Sequence, residues 1–367
     1  MSNTPLSDAA WDSLLAMLHD LGQVVRDDAR DDRERLEGYR VLARVLALCS
    51  ELSLDVDPDV PRFFAMTTPM RQVAGPNPDG EYDLCALTPG RSYRITGHRG
   101  SVTYLGFQVM AGTGLTPRRQ ATYVSDTDLH LDDDGRFAFV LAAEDPRTGE
   151  HWVQIPEDSS AVVVRQYIAD RSVEEVATYD IEQLEPAEPV AALSDEVLAE
   201  QLTAFTWTAF KLMTLHRSVL PQLRDETNQL ITAEAAALGS ENTTPDNLYM
   251  LGSFDLAPDQ ALVLDIEPPE SRYWSITLEN AWHECLEPFR TRSSGTHASF
   301  EPRPDGPDGP DGPDGTVRVV IAATDPGVPN WLATGGRQRG FVVLRWLDNP
   351  AAPKVAVTLS TVGEVIA

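Results

Sequence analysis

Cysteine is scarce in this sequence and scattered: Cys49, Cys85 and Cys285 are odd in number, far apart and without any Cys-x-x-Cys spacing. That excludes a disulfide framework and a thiolate zinc cage, and makes buried free thiols the expectation. Basic residues are scarce too, 29 Lys plus Arg against 57 Asp plus Glu, for a formal net charge of −28. A surface of that sign repels phosphate backbones and anionic lipid, so no nucleic acid and no membrane is expected as a partner. No stretch approaches the roughly 20 apolar residues of a membrane span, and no basic segment followed by an apolar run opens the sequence. A cytoplasmic location is the resulting expectation. Catalytic signatures are also lacking. There is no Gly-x-Ser-x-Gly elbow for a serine hydrolase, no His-Glu-x-x-His helix, and no His-x-His pair such as a cupin-type metal site begins with. His283, Glu284 and His297 make no better metal site, because neighbours in an extended strand point to opposite faces. Neither a metal nor a cofactor is expected.

What is present is globular: 42% hydrophobic and 23% charged residues over 367 positions, enough for two structural units. From Ser7, read as an N-cap, Trp11, Leu14, Leu15, Leu18, Leu21 and Val25 recur at helical spacing. Leu36, Tyr39, Leu42, Leu46 and Cys49 repeat the pattern and stop before the prolines at 58 and 61, so residues 1–70 read as a helical hairpin. Residues 71–190 change to short β-branched and aromatic runs between Gly, Pro and Asp clusters, a first β-sandwich. Residues 191–244 read as a central helical pair, one helix capped by Ser194 and a second opening at Pro221 and closing at Gly239. Strands return over 245–367. The strands are too closely spaced for crossover helices, which excludes a Rossmann-type sheet. The expected fold class is α+β, mainly β: two antiparallel jelly-roll-like β-sandwich units with flanking helices.

Pro304 to Gly315 is four successive Pro-Asp-Gly units, which read as an exposed loop without apolar anchors. Its regularly spaced aspartates lack the closing carboxylate that a calcium loop needs. Asn77-Pro78-Asp79-Gly80 is β-turn chemistry, and with Tyr82 and Arg94 it offers a candidate polar wall. In 272–282, period-two alternation puts Tyr273, Ser275, Thr277 and Glu279 on one face and Trp274, Ile276 and Leu278 on a core face. Asn280, Trp282 and Glu284 continue past the strand end as an amide, an aromatic platform and a carboxylate. Asp325 to Leu332 reads as a turn buckled by Pro326 and Pro329 and anchored by Trp331, with Asp325 and Asn330 as alternative ligand contacts.

Ala261-Leu262-Val263-Leu264 with Pro268-Pro269, Arg272-Tyr273-Trp274 leading to Asn280-Ala281-Trp282, and Asp325-Pro326-Gly327-Val328-Pro329-Asn330-Trp331-Leu332 with Arg345-Trp346 resemble the domain of unknown function 1214 family, over about 246–347. Gly75 to Tyr82 and Tyr93 to Gly97 are similar to the segment that precedes this domain in actinobacterial relatives. The resemblance implies a jelly-roll-like sandwich often paired with a second β-domain, and no established activity. The expanded Pro-Asp-Gly loop departs from it. The leading functional expectation is binding of a small molecule or carbohydrate in a sandwich cleft at Asn77, Tyr82, Arg94, Asn280, Trp282, Asn330 and Trp331. The alternatives are a carboxylate-dependent hydrolase using Glu284 and Asp325, and an assembly or scaffold protein; composition leaves a homo-oligomer open.

Overall fold

The computed structural model describes residues 4–112, 118–186, 192–218, 223, 226–234, 238, 243–286, 290–303, 316–348 and 353–366. The Pro-Asp-Gly segment, Pro221 and Gly239 lie outside them. Helix α1 (Leu6–Asp28) buries Leu14, Leu21 and Val25, while Trp11 and Leu15 of the same stripe remain exposed. Ser7 is not its cap. Pro5 precedes the helix, and the Leu6 and Ser7 amides with the Ser7 hydroxyl donate to the Asp195 carboxylate, which places a negative charge where the helix dipole is positive.

Asp195 opens α3 (Asp195–Met213), capped by Ser194 through the Val197 amide. At the far ends Asp28 of α1 accepts from Arg217, just beyond α3, so α1 and α3 run side by side in the same direction. Helix α2 (Asp32–Ser50), capped by Asp31, completes this layer with Val41, Val45, Leu48 and Cys49 buried in it. No described helix is long and apolar enough to cross a membrane.

The chain is mainly β, with two sandwich-like units and flanking helices. The first unit holds β1 (Phe64–Ala65), β2 (Gly80–Ala86), β3 (Tyr93–His98), β4 (Tyr104–Ala111), β5 (Arg119–Ser125), β6 (Arg136–Ala142), β7 (Trp152–Gln154), β8 (Ser159–Tyr167) and β9 (Thr178–Gln183). Its two sheets, ordered β1-β2-β8-β4-β5 and β7-β6-β3-β9, close over Phe107, Phe137, Phe139 and Ile95. Each large side chain buried there stabilises the fold by about 1.5–3 kcal/mol. The second unit holds β10 (Gln229–Glu234), β11 (Asn247–Asp255), β12 (Gln260–Glu267), β13 (Trp274–Glu279), β14 (Ser294–Thr296), β15 (Val317–Ala322), β16 (Trp331–Ala333), β17 (Arg339–Leu347) and β18 (Lys354–Thr361). Strand β10 stands where the second central helix was expected, because Gln229–Glu234 pairs along β11.

The sheets of the second unit are β10-β11-β17-β13-β14 and β16-β15-β12-β18, closed over Trp274, Trp346 and Phe254. Strand order therefore repeats element for element: adding nine to each strand number of the first unit gives the second. Even the parallel pairing recurs, β6 with β7 and β15 with β16, while the other strand pairs among the described residues are antiparallel. The repeat can be traced in side chains. Trp152 and Trp331 each donate an indole N–H to the carbonyl of Ala142 and Ala322 respectively, and Asp145 and Asp325 each accept from the amide two residues on.

Candidate functional site: a polar layer between the sandwiches

The two five-stranded sheets turn their outer faces to each other. Register fixes what meets there. On β8, Arg165 lies opposite Tyr82 of β2 and Gly106 of β4; on β17, Arg345 lies opposite Tyr249 of β11 and Ser275 of β13. The arginines are thus equivalent positions of the repeat, and both are buried, 7% and 4% exposed. Arg165 donates to the Gln108 side-chain oxygen and sits 6.0 Å from the centre of the Tyr82 ring. Arg345 donates to the Thr277 hydroxyl at 3.2 Å and the Gly75 carbonyl at 2.8 Å.

The turns leading into β2 and β11 repeat as well, Asn77-Pro78-Asp79-Gly80-Glu81-Tyr82 and Thr244-Pro245-Asp246-Asn247-Leu248-Tyr249. In each, the amide of the first residue donates to the tyrosine hydroxyl of the last, at 3.0 Å in one and 3.1 Å in the other. Each first side chain then crosses the seam: Asn77 donates to the Tyr273 phenol at 2.6 Å, and the Thr244 hydroxyl meets the Tyr167 phenol at 2.5 Å. Asn247 also donates to Tyr167, and Tyr123 to Asp246. Burial pushes the Tyr82 phenol up to about 12 and Tyr167 and Tyr273 well above their ordinary value, so all three stay protonated at neutral pH. Burial also raises Asp79 to about 6, against the opposing pull of Arg171 and Arg345. Burial works against the charge on Arg345, yet Tyr82 and Glu279 nearby hold its pKa above the ordinary value.

At one end of the layer His283 adopts a left-handed backbone, φ 57°, and so does Ala74, φ 69°. The two strained segments are joined, since the Gly75 amide donates to the His283 carbonyl at 2.8 Å. Nδ1 of His283 lies 2.7 Å from a carboxylate oxygen of Glu279, and the imidazole stacks on Phe341 at 4.0 Å. Five buried polar atoms around the layer have no protein partner: Asp79 Oδ2, Asn247 Oδ1, Ser275 Oγ, Glu279 Oε1 and His283 Nε2. Buried atoms of this kind are ordinarily met by ordered water or a ligand.

Of the residues singled out from sequence, Asn77 and Tyr82 lie in this layer. Arg94 does not: it is on β3, in the outer sheet, paired with Glu150 and Glu182. Asn280, Trp282 and Glu284 share a turn, but as its scaffold. The Asn280 side-chain oxygen accepts from the Trp282 and Glu284 amides, Trp282 donates to the Glu34 carbonyl in the first turn of α2, and Glu284 pairs with Arg44. Asn330 bridges Glu301 and Arg318 backbone groups, Trp331 anchors β16, and exposed Asp325 closes its own turn. Among the described residues no contact joins Glu284 to Asp325. Sequence reading missed Arg165, Arg345, Asn247, Tyr249 and the Glu279–His283 pair. The twice-occurring Pro-Asp-x-x-Tyr string, at 78–82 and 245–249, was the signal that could have found several of them.

Residues 86–171 match the protein of unknown function family DUF1214, and residues 227–329 match DUF1254, also of unknown function. Each match covers less than half of the chain. The DUF1214 match thus falls on the first unit, correcting its expected place at 246–347. Because the units share their topology and their Asp-Pro…Trp string, a motif seen in one is met again in the other. The DUF1214 segment contains Arg165 and Tyr167; the DUF1254 segment contains Asn247, Tyr249, Tyr273 and Glu279. An uncharacterised protein from Burkholderia cenocepacia has a similar crystal structure, with TM-score 0.89 and 28% identity over 98% of each chain. A structure from Vibrio parahaemolyticus aligns over 88% of this chain and 97% of its own at 13% identity and TM-score 0.49. No curated protein matches the sequence.

Proposed function

We propose that this protein binds a small polar molecule in the layer between its two sandwiches. The observation that carries the reading is the cluster of five unpartnered buried polar atoms around Arg165 and Arg345, where a packed interface would be expected to satisfy its own polar groups. Asp79 and Tyr82 are partly exposed, so the layer reaches the surface at the first repeated turn. Cys49, Cys85 and Cys285 are free and buried, in keeping with a reducing, cytoplasmic setting. A thermal-shift screen of sugars, steroids, fatty acids and divalent metals tests the binding, since a ligand that prefers the native state raises its melting temperature. A hit whose shift is lost in Asn247→Ala and Ser275→Ala supports the site; a screen without hits rejects the reading.

A second reading, carboxylate-assisted hydrolysis, draws on Glu279 and His283 rather than on Glu284 and Asp325. A histidine held at Nδ1 by a carboxylate presents Nε2 as a base. Hydrolysis of a bound ester that disappears in Glu279→Gln, with the thermal shift retained, would favour it over simple binding.

A further inference from the structure

The charge pattern of the layer narrows the ligand class. This chain has 57 acidic residues for 29 basic ones, and its partly buried arginines are paired accordingly: Arg44 with Glu284, Arg99 with Asp126, Arg337 with Glu37, Arg339 with Glu34. Arg165 and Arg345 are the exceptions. They are more deeply buried than these, yet among the described residues neither lies within salt-bridge distance of a carboxylate, and their hydrogen-bond acceptors are all neutral: Gln108, Thr277 and the Gly75 carbonyl. The nearby acids stand off from both arginines: Glu279 holds His283 through one oxygen and leaves the other unpartnered, Asp246 holds Tyr123, and Asp79 has no cationic partner in contact. An unpaired buried guanidinium is costly, and two of them at equivalent positions of a repeat is a built feature.

The phenols add donors of the same sense. Tyr82 and Tyr249 already accept amide protons, from Asn77 and Thr244, so their own O–H protons are left to donate. The layer therefore presents two planar guanidiniums and two phenolic donors from facing sheets. That donor set complements an oxyanion, and guanidinium favours carboxylate and phosphate through paired N–H···O contacts, while the unpartnered acceptor oxygens of Asp79, Glu279 and Asn247 complement hydroxyl groups elsewhere on the same ligand.

Resting on the binding reading above, we infer that the ligand is a small organic oxyanion, whose carboxylate or phosphate group is shared by Arg165 and Arg345. The test is thermal denaturation of the full chain with sodium benzoate, inorganic phosphate, xylose, and sodium chloride at matched ionic strength. Benzoate or phosphate should raise the melting temperature beyond chloride in a concentration-dependent way, the stronger of the two naming the group, and xylose should not. Arg165→Met and Arg345→Met should each abolish the excess shift. Tyr82→Phe, which removes one donor and keeps the ring, should weaken binding about tenfold and covers the case in which an arginine variant fails to fold. Oxyanions that act no better than chloride overturn the inference. If a neutral compound stabilises instead, binding in the layer stands and only its anionic character falls. An oxyanion shift that survives in the Tyr82 and arginine variants also overturns it, since the anion then binds elsewhere.

Discussion

The side-chain amide of Asn77 donates to the phenol of Tyr273 at 2.6 Å, tying a turn of the first sandwich to the residue that leads into β13 of the second, 196 residues away in sequence. Both side chains are fully buried, so removing one strands the other without water. Asn77→Ala should destabilise the protein by about 1–3 kcal/mol in urea unfolding, and Asn77→Ala combined with Tyr273→Phe should cost less than the sum of the single changes. Additive losses would show that the bond contributes nothing across the seam.

Asp79 sets a pH dependence of known sign. Burial raises its pKa to about 6 in the folded protein, whereas in the unfolded chain a carboxyl titrates near 4. Between those values the folded state holds a proton that the unfolded state has released, so Asp79 makes stability fall as pH rises from about 4 to about 6. Asp79→Asn should remove that component and stabilise the protein at pH 7 by on the order of 1–3 kcal/mol. Melting curves of the two proteins at pH 4.5 and 7 check it: the gap should be small at the lower pH and larger at the higher.

Gly38 sits in the middle of α2, where alanine would ordinarily stabilise by about 1 kcal/mol. Here the sign reverses. A Cβ at Gly38 would lie 2.8 Å from two ring carbons of Trp282 and 2.8 Å from a methyl of Val25. Gly38→Ala should therefore destabilise by about 1–3 kcal/mol, and Trp282→Phe in the same chain should recover part of the loss. A more stable Gly38→Ala protein would mean that α2 does not seat on the Trp282 turn.

Arg303 and Thr316 are joined by a backbone hydrogen bond of 2.8 Å, so the Pro-Asp-Gly segment connects two points that already meet. Deleting 307–315 to leave one Pro-Asp-Gly unit should change stability by only around 1 kcal/mol, because closure entropy grows with the logarithm of length. Chelator should not distinguish the two proteins. A melting temperature lowered by chelator only in the full-length protein would reveal a calcium site in the repeat.

Sequence reading reached the parts of this fold that alternate between core and outside. Strands such as Arg136–Ala142, Gln260–Glu267 and Val317–Ala322 fall inside the two stretches, 71–190 and 245–367, where β-structure is expected, because apolar residues mark one face or both. It did not reach the layer, for a physical reason: Tyr273, Ser275, Thr277 and Glu279 have the polarity of a solvent-facing stripe, and only the stacking of a second sandwich buries them. Gly252 and Ser253 give β11 little strand preference of their own, although the glycine is required, since a Cβ there would come within 2.2 Å of the Gln229 carbonyl on β10. Arg165 and Arg345 have no local signal at all. They become visible only when the two units are laid over one another.

The most direct test of a ligand layer between the sandwiches is a crystal structure with the compound that shifts the melting temperature most. Density is expected between β8 and β17, with an oxyanion group within hydrogen-bond distance of Arg165 and Arg345 and a hydroxyl of the same compound within that distance of the Asn247 and Ser275 side-chain oxygens. Density instead in the cavity of about 160 Å³ between α2 and the 336–339 turn, where Arg337 and Arg339 are already paired with Glu37 and Glu34, would contradict it. So would a layer in which those side chains bond only to one another.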